Sequence, residues 1–435
     1  MSNQWFIKLI NHLILPNVLP VVFLYMVLED GNSGVNDKTN LFVGESLALQ
    51  NKNEISSEIS RLKEEIERLE RKIDSLERRS HHSAPPFKKY PRVTQLPGSD
   101  RKRILVTGGA GFVGSHLVDR LMRDGHEVTV ADNLYTGSKK NIEHWLGHEN
   151  FEFIRHDIVN PLMIEVDEIY HLASPASPPH YMANPVKTIK TNTLGTINML
   201  GLAKRVNGRI LLASSSEVYG DPSEHPQSEN YWGNVNPAGP RSCYDEGKRI
   251  AESLMYSYHH QEKVNVRVAR IFNTYGPRMH LNDGRVVSNF ISQSLQNKSI
   301  TIYGSGDQTR SFQYVSDLIR GLIALMDSNV TSPVNLGNTE EFTIAQIATI
   351  IKSCVNNSNS DIVYLKKVVD DPTRRKPDVT KARNLLRWIP LIPFRDGLKD
   401  TVRKIIIISF LHSNHIFPSF KSSSYLSFIP HLTFV

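Results

Sequence analysis

The segment RILVTGGAGFVGSHLVDRLMRDGHEVTVADN, Arg103 to Asn133, constrains the fold more than any other part of the chain. An apolar, β-branched run over Ile104–Thr107 predicts a strand, and apolar residues at helical spacing up to about Arg123 predict the helix that follows. A second strand is predicted over Glu127–Ala131, ending at Asp132. Between strand and helix, Gly108, Gly111 and Gly114 permit a tight turn, close backbone approach to a pyrophosphate and close helix-on-strand packing. The helix N-terminus adds free amides and a positive dipole end. Asp132 at the tip of the second strand accepts hydrogen bonds from ribose hydroxyls and repels an added phosphate, which favours NAD over its phosphorylated relative. Lys139 and Lys140 soften that preference without reversing it.

From Arg101 onward apolar runs alternate with helical patterns, which predicts an α/β fold of the Rossmann type, a doubly wound parallel sheet. EIYHLAS, Glu168–Ser174, and RILLASSSEVYG, Arg209–Gly220, read as further buried strands ending in small polar residues. Ligands gather outside the carboxyl ends of such strands, so Ser215, Ser216 and Glu217 are expected to face the crevice. Taken alone, a serine run after a strand is a turn. YDEGK, however, sets Tyr244 and Lys248 one helical turn apart on one face. A phenol titrates near ~10 and is a poor base until an ammonium favours its ionised form, a charge that Lys248 supplies.

The chain carries 51 Lys and Arg against 44 Asp and Glu, but this excess forms no basic stripe with interleaved aromatics, so nucleic-acid binding is not expected. Cys243 and Cys354 are the only cysteines, too few for a disulfide framework or an ordinary zinc site, and no metal is expected.

The first hundred residues have a different texture. WFIKLINHLILPNVLPVVFLYMVL, Trp5–Leu28, is long enough to span a bilayer, and residues 1–30 read as a signal anchor. Lys8 near the start of the run, with Glu29 and Asp30 after it, favours a cytosolic N-terminus. A cleaved signal peptide is the rival reading, although no clear small-residue cleavage site follows. After a linker over 31–53, Ile55, Ile59, Leu62, Ile66, Leu69, Ile73 and Leu76 follow the heptad pattern, predicting a coiled-coil stalk over 54–79 and a parallel homodimer. A single solvated helix is the plainer alternative. Residues 80–100 read as a Pro-containing linker.

Together, GGAGFVGSH, SSSEVYG, YDEGKR, RIFNTYGPRM and YGSGDQTRSFQYV resemble the extended short-chain dehydrogenase/reductases that act on nucleotide sugars. More narrowly, HLASPASPPHY, NPAGPRSCYDEGKR and DPTRRKPD resemble the UDP-glucuronate decarboxylase (UDP-xylose synthase) family, from about Arg101 to Gly397. The resemblance implies a catalytic domain over 101–400 with a smaller α/β substrate-binding lobe, NAD as cofactor and UDP-glucuronate as substrate. It also implies a single-pass type II Golgi membrane protein with a lumenal catalytic domain.

By the same resemblance, Tyr244 is the base that acts at the sugar 4-hydroxyl, with Lys248 and Ser215 beside it. Glu217 and Arg375 position the carboxylate and support decarboxylation, with Ser216 and Asn273 lining the site. Cofactor positions are Phe112, Val113, Asn133, Thr136, Gly137, Asp157, Leu172, Ser174 and Thr191 besides the glycines and Asp132. Lys190, Asn198, Lys204, Arg205, Arg285, Tyr303 and Arg310 are implied on the nucleotide-sugar side. Without the resemblance, Lys204 and Arg205 read as a solvated helix face.

The related 4,6-dehydratases carry an Asp before the Glu to protonate a departing hydroxyl, and 4-epimerases lack the Glu; Ser216 followed by Glu217 matches neither pattern. Two departures from the family stand out. Ser215 replaces the usual threonine, and residues 401–435 form an atypical tail with no Asp or Glu and no clear helical period. The tail keeps open an inactive or assembly subunit as an alternative; a 4-epimerase or dehydratase acting on a similar sugar nucleotide is the other, opposed by Glu217 together with Ser216. Sequons at Asn297, Asn329 and Asn356 permit N-glycosylation of a lumenal domain.

Overall fold

The computed structural model describes residues 88–281, 283–355, 358–366 and 374–411, together with 57, 60–61, 63–65 and 67–72. The chain divides into two units, Met1–Lys88 and Lys89–Val435. In the first, the described residues between 57 and 72 are helical and solvent-exposed, and Arg71 donates to the Glu67 carbonyl one turn back at 3.1 Å. The expected anchor over 1–30, the linker over 31–53 and the heptad positions Ile55, Ile59, Leu62, Ile66, Ile73 and Leu76 lie outside the described residues. Among the described residues no helix is long and apolar enough to cross a membrane.

The second unit is built on seven parallel strands, β1 (Arg103–Thr107), β2 (Glu127–Asp132), β3 (Phe151–Arg155), β4 (Glu168–His171), β5 (Arg209–Ser215), β6 (Asn265–Ile271) and β7 (Val334–Leu336). Their order across the sheet is β7-β6-β5-β4-β1-β2-β3. Its crossover helices include α1 (Phe112–Asp124), α2 (Pro185–Val206), α3 (Ser242–Glu262) and α4 (Val315–Asp327). Alternation along each strand divides the apolar residues between two faces. Ile104, Val106, Val128 and Val130 pack with Leu117 and Leu121 of α1 and Leu318 and Leu322 of α4. Leu105, Ile169, Ile210 and Leu212 pack on the other face with Met199 and Leu200 of α2 and Ala251 and Met255 of α3. Burial on both sides is why these strands read as continuous apolar runs.

The first βαβ unit matches its expected limits to within a residue. Gly125 ends α1 in the left-handed region at φ 98°, returning its N–H to the Leu121 and Met122 carbonyls. Asn184 caps α2 by accepting from the Lys187 amide, and Pro185 occupies its first turn. The strands from EIYHLAS and RILLASSSEVYG are shorter than expected. β4 stops at His171, and β5 gives way at Ser216 to a short 3₁₀ turn over Ser216–Tyr219.

Two expected boundaries are corrected. The linker over 80–100 does not run free to its end, because the Thr94 amide donates to the Arg123 carbonyl at 2.9 Å and Val93 packs on the core. The boundary between residues 400 and 401 falls inside a continuous helix, Phe394–Leu411. Phe394, Leu398, Val402 and Ile405 are buried on one face of it, so core packing carries the helix into the stretch that lacked a clear period. The rest of the tail, 412–435, lies outside the described residues.

The smaller lobe contains the helices Val286–Leu295 and Ile344–Cys354, the latter opened by a Thr343/Gln346 capping box. A three-stranded sheet pairs Thr309–Ser311 with Glu341–Thr343 and with Arg374–Arg375, which sets Arg375 directly opposite Arg310.

Candidate active site

The carboxyl ends of β1, β2, β4 and β5 form one edge, where the glycine turn begins. Gly108 sits at φ +71°, and a Cβ on Gly114 would lie 2.2 Å from the Gly108 carbonyl oxygen. Only glycine therefore allows α1 to start this close to the turn. At the tip of β2, the buried Asp132 carboxylate accepts from the Ala110 amide at 3.0 Å and the Leu134 amide at 2.8 Å. Burial pushes its carboxyl up, and those two amides oppose the shift. A Cβ on Gly137 would stand 2.9 Å from the same carboxylate, so the loop bearing Thr136 and Gly137 passes closely over it. Asn133 donates to Asp157 at 3.1 Å, and Lys187 reaches the same carboxylate at 2.5 Å. Phe112 and Val113 open α1, while Leu172 and Ser174 follow β4. Thr191 turns its hydroxyl onto the Lys187 carbonyl of its own helix at 2.8 Å. A cradle of this shape, ending in a carboxylate at the strand tip, fits a dinucleotide.

Ser215, the last residue of β5, is hydrogen-bonded to the Tyr244 phenol and also accepts the Glu217 amide at 3.3 Å. Its hydroxyl is thus held from two sides without the methyl of the usual threonine. Tyr244 is buried and its ring stacks on Tyr181, centroids 5.2 Å apart. Burial pushes its phenol up to about 12, with the charge of Arg285 and the Ser215 hydrogen bond opposing. Lys248 lies 5.7 Å from the Tyr244 ring centroid and donates to the Ala213 carbonyl at 2.9 Å. Burial pulls its ammonium down to about 8, against the charge of Glu252. Glu252 itself accepts from Ser214 at 2.5 Å and pairs with Arg270 at 2.8 Å, which ties the end of β5 to α3 and β6.

Beyond the buried Ser216, the Glu217 carboxylate is clamped between two guanidinium groups, Arg375 at 2.5 Å and Arg241 at 2.6 Å. These charges, aided by Arg310, hold its carboxyl well below the usual range despite burial. Arg375 also donates to the Gly220 carbonyl at 2.9 Å, fixing the lobe strand to the turn after β5. Asn273, half-buried after β6, accepts the Gln313 amide on its carbonyl at 2.9 Å. The pattern SxEVYG followed by YxxxK thus builds a phenol and ammonium on α3 facing a serine and a carboxylate at the end of β5.

The family of GDP-mannose 4,6 dehydratase matches residues 105–401. UDP-glucuronic acid decarboxylase 1 of Xenopus tropicalis is 68% identical over 315 residues, covering 72% of this chain and 75% of that protein. The chain belongs to the UDP-glucuronic acid decarboxylase family. UDP-glucuronic acid decarboxylase 3 of Arabidopsis thaliana is 61% identical over 297 residues, 68% of this chain and 86% of the relative. A solved UDP-glucuronic acid 4-epimerase from Bacillus cereus, in complex with UDP-glucuronic acid and NAD, is 30% identical with a TM-score of 0.64. It covers 70% of this chain and 99% of its own.

Not every residue implied by likeness to the decarboxylases meets at this edge. Arg285 donates to the Ala176 carbonyl at 2.5 Å and its charge is felt at Tyr244, and Arg310 joins the Glu217 cluster. Tyr303 is exposed at the end of its strand, Lys190 is exposed on α2, and Asn198 donates to the Ile158 carbonyl at 2.9 Å. Lys204 and Arg205, implied on the nucleotide-sugar side, lie away from this edge. They occupy the last turn of α2, beside the starts of the strands rather than their ends, and pair with Glu262 and Glu165, each at 2.6 Å. From Lys190 to Lys204 an α-helix rises roughly 21 Å, which carries them from one edge of the sheet toward the other. They form a solvated helix face. Arg241 and Tyr181 were missed. Arg241 lies three residues before Tyr244, so a reading of the first helical turn for cations could have found it; Tyr181, brought in by another helix, left no local signal.

Proposed function

We propose that the chain converts UDP-glucuronate to UDP-xylose and carbon dioxide, using NAD without net redox change. The single observation that carries this reading is the Glu217 carboxylate, clamped by Arg375 and Arg241, directly after Ser216 and close to Tyr244 and Lys248. Bound by the glycine turn, Asp132 and the Asn133–Asp157 loop pair, NAD supplies hydride removal from the sugar and hydride return to it.

Tyr244 takes the proton of the 4-hydroxyl and later gives it back to the same oxygen, with the Ser215 hydrogen bond and the Arg285 charge favouring the phenolate between the two events and Lys248 5.7 Å from the ring centroid. A ketone at carbon 4 is beta to the carboxylate, so the electrons of the breaking carbon–carbon bond flow into it as carbon dioxide leaves. Arg375, itself fixed by Glu217, holds the carboxylate in line for that cleavage. A proton then adds at carbon 5. Because Tyr244 recycles its own proton, the overall reaction consumes one proton from outside the sugar. Ser216 lacks the acidity to expel a hydroxyl, which argues against 4,6-dehydration. Incubation with UDP-glucuronate and NAD tests the reading. Carbon dioxide with UDP-xylose supports it; UDP-galacturonate without carbon dioxide points to a 4-epimerase, and no product from a folded, NAD-binding chain points to an assembly subunit.

The apolar run Trp5–Leu28 supports a type II anchor in the Golgi membrane with the catalytic unit lumenal, and the sequons at Asn297 and Asn329 agree with that side. Protease protection in sealed microsomes checks it. The heptads support a homodimer, as do Val186, Ile189 and Leu194 exposed on α2. Light scattering of the full chain in detergent reads a dimer; a monomer overturns it.

A further inference from the structure

Asp245, the first of the two acids of YDEGK, has no task in the chemistry above. It lies in the first turn of α3, next to Tyr244 and one turn beyond Arg241, and is 7% exposed. Its Oδ2 stands 3.9 Å from Nε of Arg241, whose Nη2 is 2.6 Å from Glu217. Its Oδ1 is buried and makes no hydrogen bond. A buried carboxylate normally collects several donors, and this one shares a single distant guanidinium with a better-placed competitor.

Charged and titratable groups face Asp245 from several elements: Glu217 on the turn after β5, Arg375 on the lobe strand, and Arg241 and Glu246 on its own side. Tyr181, Tyr244 and Cys243 also feel its charge. Burial and Glu217 push the Asp245 carboxyl up to about 7, while Arg241 and Arg375 resist. Its own charge state is therefore open to a further anion entering the cluster, and the proposed substrate brings one.

We propose that binding of UDP-glucuronate is coupled to uptake of a proton at Asp245, a positioning residue whose neutral form no longer competes with the carboxylate of Glu217 for Arg241. The inference rests on the uronate reading of the site. An arriving carboxylate favours the neutral acid, and by reciprocity the neutral acid favours the carboxylate. Above the titration of Asp245 in the free protein, the Kd for UDP-glucuronate rises about tenfold per pH unit while the bound form stays protonated. UDP-glucose, which lacks the carboxylate, shows little of this.

Full-length protein loaded with NADH, so that no oxidation starts, is titrated with UDP-glucuronate by calorimetry in buffers of different ionisation heat. Near pH ~8 the wild type should take up about one proton per UDP-glucuronate, and clearly less with UDP-glucose. Asp245→Asn, checked for melting temperature and NADH binding, should lose both the uptake and the alkaline rise in Kd. No uptake by the wild type, equal uptake with UDP-glucose, or unchanged uptake by folded Asp245→Asn overturns the inference. If the variant does not fold, the comparison of the two wild-type ligands decides alone. Turnover to UDP-xylose by a protein that takes up no proton when UDP-glucuronate binds overturns this inference only; failure of UDP-glucuronate to bind or turn over overturns the reading beneath it.

Discussion

Nη1 of Arg375 lies 2.5 Å from the carboxylate of Glu217, joining a lobe strand to the turn that follows β5. Arg375 is buried and the Glu217 side chain is only 15% exposed, so the pair is held largely out of water, with Arg241 as the second partner of Glu217. Arg375→Leu is expected to reduce carbon dioxide release by roughly 10²–10³-fold, the scale of losing one preorganised charge. The variant should lose stability in denaturant unfolding, by up to about 3–5 kcal/mol, because a largely buried carboxylate loses one of its two guanidinium partners. NADH formation should fall less than carbon dioxide release, and equal losses in both would count against a role in the decarboxylation step.

Glu217 also predicts a direction with pH. Its folded-state carboxyl is held below the ordinary carboxylate range, so its stabilisation is fully present above that range and is lost as pH falls through it toward the lowered value. The melting temperature should drop on acidification, and Glu217→Gln should flatten that drop. An unchanged acid limb in the variant would assign acid sensitivity to other groups, such as Asp119, lowered to about 2 chiefly by its His144 hydrogen bond and Arg278 against burial.

Tyr244→Phe removes the phenol but keeps the ring stacked on Tyr181. Turnover should fall by roughly 10²–10⁴-fold, with NAD affinity largely kept. Normal turnover would reassign the base.

A methyl group at Gly114 would meet the Gly108 carbonyl at 2.2 Å, so Gly114→Ala must push α1 away from the turn. Overpacking of this kind costs typically about 1–3 kcal/mol. NAD binding, read by fluorescence quenching, should weaken more than the melting temperature falls, and wild-type affinity would refute the close approach.

Phe394 is buried against the rings of Tyr275, Phe312 and Phe342 at the start of the last helix. Phe394→Ala should destabilise by about 3–5 kcal/mol. A negligible change in unfolding midpoint would mean that this helix adds nothing to the lobe.

The β1–α1–β2 unit was legible because its signals are local: β-branched runs, a glycine turn and an apolar helical stripe all lie within thirty-odd residues of one another. Tyr244 and Lys248 were legible for the same reason, since one helical turn fixes their common face whatever surrounds them. The heptads from Ile55 to Leu76 specify a repeating apolar stripe on their own.

What sequence could not decide was distance across the fold. Lys204 and Arg205 look no different from active-site cations until α2 is given its length and direction, which place them beside the strand starts. Arg375 and Arg241 converge on Glu217 only through the lobe pairing and the start of α3, and Tyr181 reaches Tyr244 from a separate helix. The last helix continues past residue 400 because Val402 and Ile405 find a core to pack against, although the letters there carry no clear period. By itself, then, the sequence determined the sheet, the dinucleotide turn and the Tyr–Lys pair, because backbone propensity and short-range spacing act within single elements. Only the tertiary structure decided the Glu217 clamp and the burial of Asp245, because burial and charge proximity arise when distant segments exclude water together.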